Sequence, residues 1–123
     1  MNTVMGQDNI GEKLYDLAMI NRFCRGDKNL TKKMIQVFLT DIPSSVEEIK
    51  TAYQEKDFMT LKKTAHRIKP VLSMYSIAKV GNEIEVLSNM DQDEIMSMET
   101  SEKITKLESV IGMVTQQLNM YLL

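Results

Sequence analysis

An apolar residue at every third or fourth position, sustained through segment after segment, constrains this chain more than any other feature. That spacing lines up side chains on one face of a helix, because three and four residues bracket one helical turn. Phe58, Leu61, Ala65, Ile68, Leu72 and Tyr75 form the clearest seam, with Asp57 placed to cap its start. Ile104, Leu107, Ile111, Val114, Leu118 and Tyr121 form a second seam of the same rhythm, and Ile77, Val80, Ile84 and Leu87 a shorter one behind an expected Ser76 cap. A longer run through Leu30, Met34, Val37, Phe38, Ile42, Val46, Ile49 and Tyr53 predicts a helix capped by Asp27 or Asn29. Pro43 lies inside it and removes the bond to the Leu39 carbonyl, so a kink rather than a break is expected there. Leu14, Leu17, Ala18, Ile20 and Phe23 predict a short helix stopped at Gly26, and Asn89 to Asp93 reads as a polar turn. No segment combines period-two alternation with β-branched enrichment, so strands are not expected. The expected fold is all-α: an antiparallel four-helix bundle over residues 13–123 with a short extra N-terminal helix, preceded by an extension over 1–12.

Length and composition bound the function. A chain of 123 residues is too short for two ordinary domains. A formal net charge of −2 argues against binding nucleic acid through bulk charge. A single Cys cannot form an intrachain disulfide, which suits a reducing compartment, and one Cys with one His cannot supply a multi-ligand zinc site. No run approaches the roughly 18 apolar residues of a membrane span. The opening MNTVMGQDNIGEK lacks the basic start and apolar core of a signal peptide. The expectation is a cytoplasmic monomer with neither membrane nor nucleic acid as partner. Eleven Met residues are scattered without an MxxM cluster, which predicts gap-filling and surface roles rather than a soft metal site. Cys24, beside Phe23, is expected to be a buried structural thiol.

His66 is the only imidazole, and its setting is unusual. Ala65 belongs to the apolar seam, so His66 falls at the edge of the buried stripe. Its helical neighbours three and four residues away are Lys62, Lys63, Lys69 and Pro70, with Arg67 adjacent. From Phe58 to Asn82 there is no acid, while Lys62, Lys63, Arg67, Lys69 and Lys79 all fall there; the following stretch to Glu108 is acidic. Cations disfavour a protonated imidazole and leave a neutral nucleophile, and they favour an arriving phosphoryl group. Lys69, one turn on, is best placed to reach a phosphoryl oxygen, with Lys62 one turn back. A hydrolytic triad is not assembled locally, because no second His exists and no acid lies within a turn. The competing bland reading is a half-buried bundle residue beside an ordinary solvated basic face.

The stretch Thr64-Ala65-His66-Arg67-Ile68-Lys69 resembles the Ala-His-x-Leu-Lys signature of histidine-containing phosphotransfer (HPt) domains of multistep phosphorelays. The resemblance extends over roughly residues 13 to 90. Leu14-Tyr15-Asp16-Leu17 with Arg25-Gly26-Asp27 is similar to the family's opening helix and Gly-Asp turn, Val37-Phe38-Leu39 through Ile49 to its second helix, and Glu55-Lys56-Asp57 to its turn into the histidine helix. The resemblance implies a helical bundle in which His66 accepts a phosphoryl group from a receiver-domain aspartate and passes it to another receiver, with Lys69 stabilising the phosphoryl group. It implies response-regulator receiver domains as partners, with a hybrid sensor kinase as a further one. Mg²⁺ is then expected on the receiver and no cofactor on this chain. The chain departs from the family pattern where Gly usually follows the lysine, small residues come next and another Gly ends the helix: here stand Pro70, Val71, Leu72 and Ser76. Pro70 fills space at the receiver's approach and cannot donate to the His66 carbonyl, so a bend is expected at the active residue.

The leading expectation is therefore a phosphocarrier rather than a self-contained enzyme, docking its partner through Lys62, Lys63, Arg67, Pro70, Met59, Ser73 and Met74. A helical adaptor that binds through the same basic face without phosphoryl chemistry is the alternative. An enzyme using His66 as general base lacks a second catalytic group and ranks below both.

Overall fold

The computed structural model describes residues 12–91, 93 and 97–123. Residues 1–11 of the expected extension and part of the expected polar turn lie outside the described residues, as do Met1, Met5 and Met96. The elements are α1 (Ala18–Phe23), α2 (Lys28–Gln54), α3 (Phe58–Met74), a 3₁₀ turn (Ala78–Val80), α4 (Gly81–Asn89) and α5 (Met98–Leu122). All regular structure among the described residues is helical, as the spacing predicts. α2 packs against α3 and α5, α3 against α4, and α4 against α5, while α1 rests on α2.

The predicted seams form the core. Phe38, Ile42 and Ile49 of α2, Leu61, Ala65, Ile68 and Leu72 of α3, Ile84 and Leu87 of α4, and Ile104, Leu107, Ile111, Val114 and Leu118 of α5 are buried together. Each fully buried side chain of this kind contributes about 1.5–3 kcal/mol of transfer free energy, which stabilises helices too polar on their outer faces to persist alone. Val37 departs from the expectation: it is 65% exposed because its neighbour Phe38 takes the inward position. Leu30 and Tyr121, at helix ends, are also exposed. Cys24 is buried as expected, with its thiol 3.4 Å from the Met34 sulfur. Among the described methionines Met90 is buried, Met34 and Met74 pack against the core, and Met19, Met59, Met98, Met113 and Met120 are exposed. No described helix is long and apolar enough to cross a membrane.

Capping follows the sequence at two expected sites and not at a third. The Asp27 carboxylate accepts from the amides of Asn29 and Leu30, so Asp27 rather than Asn29 caps α2, and Asp57 accepts from the Thr60 amide at the start of α3. Ser76 caps nothing. It sits in the left-handed region at φ +54° and finishes α3, and α4 begins only after the 3₁₀ turn. Arg25 and Lys56 end α1 and α2 with the same left-handed conformation. In each case the next amide reaches five residues back: Gly26 to the Asn21 carbonyl, Asp57 to Ala52 and Ile77 to Leu72. The expected stop at Gly26 is therefore begun one residue earlier, at Arg25. Both prolines lie within helices that continue past them.

The first helix starts at Ala18, not Leu14. Residues 14–17 instead form a strap that buries Leu14, Tyr15 and Leu17. Backbone groups that a helix would use internally are claimed elsewhere. The Asp16 amide donates to the Tyr75 carbonyl at 2.9 Å, and the Leu14 amide to the side-chain oxygen of Gln117 at 3.0 Å. Gln117 also donates to the Glu12 carbonyl at 2.6 Å, and the Asp16 carboxylate accepts from the Ala18 amide. Tertiary partners thus outcompete local helix formation over one turn.

Candidate functional site

The α3 seam fixes where His66 points. Ala65 and Ile68 are fully buried, which turns the intervening His66 and Arg67 outward. His66 is exposed in the middle of the helix, and among the described residues its ring has no hydrogen-bond partner. A shallow concavity of about 660 Å³ opens beside it, lined by His66, Arg67, Lys69, Pro70, Ser73 and Met74 of α3 together with Met19 of α1. Six of the residues expected at the site are thus gathered there. Lys62, Lys63 and Met59 are not among its lining; Met59 is 75% exposed nearer the start of α3. Met19, which the sequence reading did not single out, adds an apolar rim from another helix.

The acid-free stretch around His66 is not an uncompensated basic patch, because other helices bring carboxylates to it. The Arg67 guanidinium donates to the Asp41 carboxylate at 3.3 and 3.4 Å and to the Ser45 hydroxyl at 2.6 Å, and lies 3.8 Å from Glu48. Glu48 also accepts from the Thr64 hydroxyl at 3.1 Å. Lys79 pairs with Glu12 at 3.3 Å. Lys69 is bound to Glu85 of α4, whose carboxylate also accepts from the Asn89 amide at 2.7 Å. The Lys69 ammonium beside Glu85 holds its carboxyl below the usual range, with the Asn89 bond and the charge of His66 acting in the same direction. Lys62 and Lys63 form no ion pair among the described residues; the Lys62 ammonium stands 5.6 Å from the Phe58 ring centroid.

Two signals for these partners lie in the sequence. Asp41, Ser45 and Glu48 are four and three residues apart, a polar stripe along the flank of α2 that matches a helix packed beside it. Glu85 adjoins Ile84 of the α4 seam and precedes Asn89 by one turn. Their meeting with Arg67 and Lys69 depends on helix packing, which spacing alone does not specify.

The arrangement offers an unclaimed imidazole, a lysine one turn away on an exchangeable surface ion pair, and an open approach edged by Met19, Pro70 and Met74. Among the described residues no carboxylate bonds the ring. No group of three or more His, Cys, Asp or Glu side chains among the described residues could hold a metal ion. Comparison with protein-family models, curated proteins and solved structures finds no match to this chain.

Proposed function

We propose that this chain is a phosphocarrier of the histidine phosphotransfer type, an antiparallel four-helix bundle with a short extra N-terminal helix. The observation that carries the reading is the placement of His66. It is the only imidazole, is exposed at mid-helix, and opens into the same concavity as Lys69. In the proposed reaction a ring nitrogen of His66 attacks the phosphorus of a receiver's aspartyl phosphate. The N–P bond forms, the P–O bond breaks, and the electron pair returns to the aspartate carboxylate. Transfer onward reverses the sequence, with an acceptor aspartate oxygen attacking and the electron pair of the P–N bond returning to the ring. The receiver supplies Mg²⁺ and most of the transition-state stabilisation, and Lys69 neutralises the phosphoryl group while it resides on His66. Arg67, Pro70, Ser73 and Met74, with Met19, form the surface against which the receiver seats, and Lys62, Lys63 and Met59 extend it along α3.

The pairing of Arg67 with Asp41 and Glu48, and of Lys69 with Glu85, weighs against an adaptor that works through a basic face, since much of that charge is already met.

The test is incubation with a phosphorylated receiver domain and Mg²⁺, followed by intact-mass measurement and peptide mapping. One acid-labile phosphoryl group on the His66 peptide, absent in His66→Gln, is expected. Binding without any label, across several receivers, would reduce the chain to a docking module.

A further inference from the structure

Lys69 has a prior occupant. Its ammonium is bound to the Glu85 carboxylate, and Glu85 is in turn steadied by Asn89 one turn further along α4. We infer that Glu85 competes with a phosphoryl group on His66 for Lys69 and thereby lowers the stability of the phosphohistidine, favouring its onward transfer. This rests on the phosphocarrier reading and names a positioning residue for it.

The argument is one of charge and reach. A phosphoryl dianion on His66 requires a cation, and Lys69 lies one turn away on the same face. Arg67 is not free to replace it, being held by Asp41, Ser45 and Glu48. Lys69 must therefore turn from Glu85 to the phosphoryl group or divide itself between them. In either case the Glu85 carboxylate loses part of its counter-charge while a dianion arrives nearby. Two anions drawing on one lysine repel each other and raise the energy of the phosphorylated state. The pair is solvent-exposed on both sides, so exchange of partners involves no unfolding of α3 or α4.

Phosphoramidate tests the inference without any receiver. Its P–N bond breaks as a new P–N bond forms to the unprotonated nitrogen of His66; the nitrogen leaves as ammonia, and the ring's one N–H proton passes to it or to solvent. The unaltered chain and Glu85→Gln are labelled in parallel, with His66→Gln as the control for site. Once phosphoramidate is removed, Glu85→Gln is expected at low salt to lose its label about fivefold more slowly, the size of a partly screened charge interaction. The gain should shrink at roughly 1 M salt, where the screening length is only about 3 Å. It should also be smaller in a Lys69→Met background, because the two residues act through one another. A structural tie between α3 and α4 would show neither dependence. Loss of label from Glu85→Gln at the wild-type rate, a gain in lifetime indifferent to salt, or no His66 label in either protein would each overturn the inference. The phosphocarrier reading fails by a separate outcome: His66 takes phosphoryl from phosphoramidate but never from a phosphorylated receiver.

Discussion

Along one side of α3 the polar contacts run to α2 and are interlocked. Thr64 and Arg67 share Glu48, Arg67 also holds Asp41 and Ser45, and the Tyr75 hydroxyl donates to the Met34 carbonyl at 3.0 Å. Along the other side, toward α4, the packing is apolar and the site's polar tie is Lys69 to Glu85 at its edge. The two cations that follow His66 in sequence are therefore unlike. Arg67 is part of the joint between two helices, with the buried Ser45 among its partners, whereas Lys69 is held by a single exposed carboxylate and can be shared. The basic residues around His66 divide in this way into one that ties two helices together and one whose ion pair can be shared.

Substitutions should separate the two sides. Ile68→Ala removes the fully buried residue between the two cations and undermines both flanks, so the largest loss is expected there, about 2–5 kcal/mol in denaturant unfolding. Tyr75→Phe loosens only the α2 side, by about 1 kcal/mol, and changes the alkaline limb. Burial, with a smaller contribution from Cys24, pushes the Tyr75 hydroxyl up from 10.0 to about 12. The unfolded chain therefore releases this proton first. The stability linked to Tyr75 is complete below pH 10 and is lost as pH rises toward 12. Urea titrations across that window should fall less steeply for Tyr75→Phe, with a residual slope from Tyr15, whose hydroxyl is also raised by burial and by Tyr121. Arg67→Ala should cost roughly 0.5–1 kcal/mol, whereas Lys69→Met should leave the unfolding midpoint unmoved and act only on phosphoryl transfer. Equal effects of these last two changes would erase the distinction between the cations.

The helices and their core were legible because a three-and-four spacing is local information. The α3 seam and its Asp57 cap needed nothing beyond a turn of chain to specify them, and the cap of α2 was narrowed to Asp27 or Asn29 in the same way. His66 was legible for the same reason: burial of Ala65 and Ile68 dictates its exposure. The strap over 14–17 was not, since its Leu and Tyr residues fit a helical pattern and only Tyr75 and Gln117, far along the chain, draw its amides away. Nor was the electrostatic state of the site. An absence of acids from Phe58 to Asn82 describes one helix and its immediate continuation, while a surface is made by several. Asp41, Glu48 and Glu85 arrive from α2 and α4, and no count along α3 could place them.

The helix ends at Arg25, Lys56 and Ser76 carry a further consequence. Each occupies a left-handed conformation that glycine would adopt at less cost to the folded state. A glycine there would, however, widen the range of conformations open to the unfolded chain. At these three corners the protein accepts native torsional strain and keeps its unfolded ensemble narrower, so the stability of the turns resides partly in a state that no folded contact reveals.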